Sequence, residues 1–430
     1  MHHHPEPHVD VQDLLDRMVE PARALPLVFV LCLVLGVVGW IAGLLDDPAR
    51  AWTALVWNWA LWSGIAIASS VVSAAAHAAN GRWIRPLRRL AEASTAFLPA
   101  SYLLMLLLFF GIENVYDWVE HPVAAKQAWL DRSFFTVRQA VSVAVLYGFG
   151  LAFVYWSLRP DLGRFRERVG GWRRGLYYRM SSGWRGLDEE IDRSHRVRNK
   201  LAPALIVLYA LVWTVWAWDW IMSVDQHWIS TLFGAWIFMT HFLAALVVLA
   251  ITASLIRPYR SFPELISTRT LHDVGKMVFA FTVFWTYLFF AQYLVIWYGR
   301  LPEETHFVEQ RLWAAYQPVA TLVIAAVFFV PFLGLLGAKA KRTPATLTGF
   351  ALVSLIGLWL LHFLLLTPGV FPDFIAFGWI EATVAVGVFG LFGLCYLGFL
   401  RAFPAIAIAA GLPADPETEK LAAMTEPHHH

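Results

Sequence analysis

Apolar residues run along this chain in blocks separated by short polar stretches. Runs of roughly 18 or more such residues recur, each long enough to cross a hydrocarbon core of about 30 Å. The pattern predicts ten transmembrane helices at 25–45, 52–77, 94–114, 134–158, 200–223, 228–256, 271–299, 313–337, 345–366 and 374–401. One stretch interrupts it with dense chemistry. Between spans 5 and 6 lies Asp219-Trp220-Ile221-Met222-Ser223-Val224-Asp225-Gln226-His227-Trp228-Ile229-Ser230-Thr231, hereafter the hinge. Polar groups of this kind are costly beside lipid and so need a reason.

Composition agrees with the pattern. Hydrophobic residues make up 59% of the chain, charged residues 15%, and the mean hydropathy is +0.57, whereas soluble domains carry roughly 25% charged residues. The expected fold class is all-α integral membrane. It comprises an N-terminal tail at 1–24, a ten-span domain at 25–402 and a C-terminal tail at 403–430. Asp10, Asp13, Asp16 and Glu20 precede the first span, where a cleavable signal would carry a basic stretch. The clusters His2–His4 and His428–His430 are read as tails without fold information.

Lys and Arg concentrate in the connections after spans 2, 4, 6 and 8 and are sparse after the odd-numbered spans. The positive-inside rule then places both termini in the cytoplasm and the hinge on the opposite side. Arg85-Pro86, Arg159-Pro160 and Arg257-Pro258 read as stops, with Arg snorkelling to phosphates and Pro ending the helix. The Arg-rich connection at 160–199, with Trp172, Tyr177, Tyr178 and Trp184, reads as an interfacial helix on anionic lipid or a partner-docking surface, and nucleic acid is not expected.

Eight ionisable groups fall inside the spans: His77, Glu113, Arg138, Asp219, His241, Lys276, His362 and Glu381. Groups at inner, middle and outer depths suit a proton path. Arg138, Asp219 and Glu113 fall close together at the outer side, where Arg138 and Asp219 read as part of that path or as a buried ion pair, and Glu113, at a helix end, reads as solvated or as a third member of the cluster. His362 and Glu381 also fall toward that side, His241 near the midplane, and His77 and Lys276 toward the inner side. On these depths the histidines do not face each other, so a bound haem is not expected. Cys32 and Cys395 are the only cysteines and are read as buried apolar residues, so no iron–sulfur cluster, c-type haem or metal site is expected on this chain.

The hinge and the span 7 stretch Phe279-Ala280-Phe281-Thr282-Val283-Phe284-Trp285-Thr286-Tyr287, with Gln292-Tyr293-Leu294, Ile296-Trp297-Tyr298 and Leu301-Pro302-Glu303-Glu304-Thr305, resemble the ActF subunits of bacterial alternative complex III, within the NrfD/polysulfide-reductase-type family. The resemblance covers nearly all of the chain except its tails. It implies two four-helix bundles with flanking helices, in the bacterial inner membrane. It also implies a quinol:electron-acceptor oxidoreductase using quinone or menaquinone. The implied partners are a paralogous NrfD-like subunit, an iron–sulfur subunit and c-type cytochromes, which would carry the clusters and haems.

Read on its own chemistry, the hinge offers Asp219 or His227 as acceptors of a quinol proton. Trp218, Trp220, Met222 and Trp228 would line an apolar slot; the alternative is an ordinary aromatic belt at the interface. The alternative for Asp225 and His227 is a partner-docking surface beyond the bilayer. In span 7, Trp285, Tyr287, Gln292 and Tyr293 read as hydrogen-bonding glue between helices. Two other functions fit the same residues: a stand-alone proton-coupled transporter or channel, and a purely structural anchor for redox subunits.

Overall fold

The computed structural model describes residues 24–258, 266–313 and 315–406, which form helices and turns with no strand. Ten helices are long and apolar enough to cross a membrane. Spans 1 to 5 are Ala24–Asp46, Pro48–Ala78, Arg85–Leu108, Arg132–Phe165 and Leu187–Val224. Spans 6 to 10 are Phe233–Ile256, Thr268–Gly299, Gln317–Gly334, Pro344–Val370 and Trp379–Ala402. The histidine clusters, the N-terminal acidic residues and most of both tails lie outside the described residues. Local chemistry sets several boundaries. Asp47 Oδ1 accepts from Arg50 N at 3.1 Å and Pro48 follows it, so span 2 starts with a cap and a pre-set φ. Asp131 caps span 4 and Ser267 caps span 7 in the same way.

Alternate chain ends gather the hinge at one end of the helices and the basic connections at the other. The basic end departs from the expected pattern. Pro160 does not stop span 4, which continues to Phe165, while span 5 begins at Leu187, well ahead of its apolar run. The two extensions lie side by side, so Arg159 does not snorkel: it is buried and its Nε meets Glu190 Oε2 at 2.6 Å. Beside it, Arg89 holds Glu92 at 2.6 Å and Asp161 at 2.7 Å, joining the ends of spans 3 and 4. The helix Gly171–Met180 packs onto the end of span 10 through Tyr177, whose hydroxyl donates to the Ala402 carbonyl at 3.0 Å. Cys32 and Cys395 are free and only half-buried.

Spans 2 and 6 are the most enclosed helices and pack on each other. Both also touch spans 5 and 9; span 2 adds span 10 and span 6 adds span 7, while span 4 lies on span 5. The serines of span 2 are tolerated in this core because Ser63, Ser69 and Ser70 donate back to carbonyls of their own helix. Span 8 is interrupted by a π-helical turn at Ala325–Phe329, just before Pro331.

Span 1 packs chiefly on span 10, leaving most of its Leu and Val side chains exposed. Its seam is built on glycine: a Cβ on Gly36 would lie 2.1 Å from Gly387 Cα, backbone against backbone. Gly36→Leu should therefore part the two helices and destabilise by about 1–3 kcal/mol or more, read as a lower thermal midpoint in detergent. Gly148→Ala in span 4, where nothing lies within 4 Å, should be neutral or slightly stabilising.

Candidate functional site

The hinge folds under the segment that links spans 3 and 4. Asp219, fully buried, is its anchor. Arg138 Nε donates to Asp219 Oδ2 at 2.8 Å and Arg138 Nη2 to Oδ1 at 3.0 Å, while Trp129 Nε1 donates to Oδ1 at 2.9 Å. Gln139 Nε2 completes the shell on Oδ2. A carboxylate offers about four lone-pair positions, and all are taken. The Arg138 guanidinium is itself stacked between rings, 4.1 Å from Trp129 and 4.4 Å from Phe134.

The rest of the hinge is tied down as closely. Tyr116 Oη donates to the Trp220 carbonyl at 2.7 Å, and Trp220 Nε1 donates to Gln139 Oε1 at 3.1 Å. Gln226 accepts from Val123 N at 3.0 Å and donates to the His121 carbonyl at 3.0 Å. Lys126 Nζ donates to the Trp228 carbonyl at 3.1 Å. Burial lowers the Lys126 ammonium from its ordinary pKa, with the Asp225 carboxylate opposing the shift.

Between the linking segment and the hinge lies a cavity of about 310 Å³, lined by Trp218, Met222 and Trp228 together with Lys126, Trp129 and Gln226, among others. The indole N–H groups of Trp218 and Trp228 are buried without a partner. Three of the four expected lining residues thus meet at one cavity. Trp220 does not line it: its ring packs into the core against Trp59, Phe109 and Phe135.

The expected cluster of Arg138, Asp219 and Glu113 forms only in part. Glu113 pairs instead with Arg132 at 3.2 Å, both about half-exposed, because span 3 ends at Leu108 and Glu113 belongs to the following turn. Asp225 accepts from the backbone N of His227 at 3.2 Å, and His227 is exposed. Glu381 is buried at the start of span 10, where Arg50 grips it at 2.8 and 2.6 Å and Gly378 N donates at 2.7 Å. His77 bonds to Asn199 Oδ1 at 2.8 Å. Lys276 is not an interior group: its side chain is 56% exposed and pairs with Asp273 at 2.7 Å.

The histidines overturn the expected depths. His241 Nε2 and His362 Nε2 are 2.9 Å apart, both residues fully buried. Span 6 begins at Phe233 and span 9 ends at Val370, so each histidine lies eight residues from the same end, about 12 Å deep. The hydrogen-bond directions fix the tautomers. Trp213 Nε1 can only donate, and it does so to His241 Nδ1 at 2.9 Å. His241 therefore donates from Nε2 to His362 Nε2, and His362 donates from Nδ1 to the Leu358 carbonyl at 2.8 Å. The pairing removes the depth argument against haem.

Neither the family models nor the curated proteins compared with the chain match it. The hinge is therefore interpreted from its own geometry. Sequence reasoning missed Trp129, Gln139 and Lys126. Trp129 and Lys126 lie in a connection without periodicity, and Gln139 carries no charge to draw attention inside a span. Asp219→Ala leaves Arg138 buried and unpaired and should cost about 3–5 kcal/mol. The double replacement Asp219→Ala/Arg138→Met should recover much of that loss, as read by thermal unfolding in one detergent.

Proposed function

We propose that this chain is a membrane subunit of a quinol:electron-acceptor oxidoreductase and that the cavity beside the hinge holds a quinone ring. The observation that carries the proposal is one cavity of about 310 Å³ walled by Trp129, Trp218 and Trp228, with Lys126 and Gln226 among its polar liners. Ligand sites of that kind are mostly apolar, with a few convergent polar groups, and run to about 300–1,000 Å³. A planar ring bearing carbonyl oxygens suits these aromatic walls, with the Lys126 ammonium as a donor and Gln226 as a polar neighbour. The resemblance of the hinge and span 7 stretches to the ActF subunits points the same way.

The reading assigns binding, not proton abstraction, to this cavity. No carboxylate or imidazole is among its lining residues, and the neighbouring Asp219 has no lone pair left to accept a proton. His241 and His362 do not relay protons outward either, because their chain begins at an indole and ends at a backbone carbonyl. That disfavours a channel through this pair.

In the same proposal, spans 2–5 and 6–9 form two four-helix bundles with spans 1 and 10 as a flanking pair, which the helix contacts support. The termini face the cytoplasm of a bacterial inner membrane. The partners are a paralogous membrane subunit, an iron–sulfur subunit and c-type cytochromes. Purified with its neighbours from native membranes, the chain should retain haem-bearing partners and quinone. An azido-quinone should label residues 125–130 or 222–231, and Lys126→Met should cut labelling by about fivefold, the scale of one hydrogen bond. Labelling confined to other segments, or purification of the chain alone without quinone, contradicts the proposal.

A further inference from the structure

A second cavity lies on the far side of a wall made of stacked rings. Trp228, on the hinge cavity, stacks on Phe307 with centroids 3.7 Å apart, and the Arg311 guanidinium lies 3.4 Å from the Phe307 centroid on the helix Pro302–Leu312. Phe307 and Arg311 line the second cavity together with Trp236, Trp285, Gln292 and Tyr293. Its half-buried liners include Phe289 and Tyr293 of span 7 and Ile324 of span 8. The cavity therefore opens between those two spans, on a flank where Phe290 and Leu322 are exposed.

Arg311 is the unusual group. It is 3% exposed, and no carboxylate comes within ion-pair distance of it among the described residues. Arg50 and Arg138, at the same end of the helices, each hold one. Its Nε and Nη2 donate to the Leu365 carbonyl at 3.2 and 2.8 Å and its Nη1 to the Phe307 carbonyl at 2.9 Å. Those bonds brace span 9 near Pro368 and use three of five N–H donors, leaving two donors and a whole charge. Burial lowers its pKa to about 9, opposed by Asp225 and Tyr316.

We propose that this cavity binds an acidic membrane lipid, whose carboxylate or phosphate oxygen is taken by the two remaining Arg311 donors. An acidic head supplies the missing counter-charge, and apolar walls opening between two spans suit a ligand that arrives through the bilayer. The enclosed space of about 50 Å³ is far below that of a site holding a whole small molecule. It admits the carboxylate or phosphate oxygens alone, and the rest of the lipid stays outside.

Native mass spectrometry of the purified protein, exchanged into oleate, dioleoylphosphatidylglycerol or dioleoylphosphatidylcholine, tests the site. One acidic lipid should be retained per chain, with preference for oleate identifying a carboxylate and preference for phosphatidylglycerol a phosphate. Arg311→Gln should lower retention at least tenfold. Arg311→Lys keeps the charge and should retain more acidic lipid than Arg311→Gln. Equal retention of phosphatidylcholine, unchanged retention in Arg311→Gln with the thermal midpoint preserved, or quinone held in place of lipid overturns the proposal.

Discussion

The Asp219 carboxylate and its four donors are the interaction on which the hinge end depends. Arg138 and Gln139 come from span 4, Trp129 from the segment before it, and Asp219 from the end of span 5. Hydrocarbon offers no substitute hydrogen bonds, so a buried carboxylate must be satisfied by the protein or not be there. Once satisfied, it fixes the position of Trp129, which is a wall of the hinge cavity. Of the two readings of Asp219, proton carrier or buried ion pair, the structure displays the ion pair, which braces the cavity wall.

The same constraint shapes the midplane. Trp213, His241, His362 and Leu358 form a directed chain in which every donor has one acceptor. Gly64 makes room for it, since a Cβ there would lie 1.9 Å from His241 Cδ2. Unpartnered indole nitrogens also occur elsewhere in the core, as at Trp57 and Trp216. Trp218, Trp228 and Trp236 share this feature, and they also line the two cavities.

Much of this was legible in the sequence, for physical reasons. Ten apolar runs announce ten spans because bilayer thickness sets their length. The Arg138–Asp219 pair follows from two opposite charges at one depth. Depth also misled, because it is counted from helix ends. Span 6 starts five residues later and span 9 ends four residues later than expected. Together these shifts amount to about 13 Å, enough to separate two histidines that touch. Arg159-Pro160 failed differently. A proline is tolerated inside a helix when neighbours brace it, and the Glu190 partner sits in a polar extension that no hydropathy pattern marks.

The most direct test is the protonation state of Asp219. Infrared difference spectroscopy of the purified protein in lipid nanodiscs, titrated across about pH 5–8, would compare the native chain with Asp219→Asn. The four-donor shell predicts no protonated-carboxyl band that disappears in the variant. A band that titrates in this range and is lost with Asp219 would mean that the carboxyl takes up a proton after all, and would contradict the account.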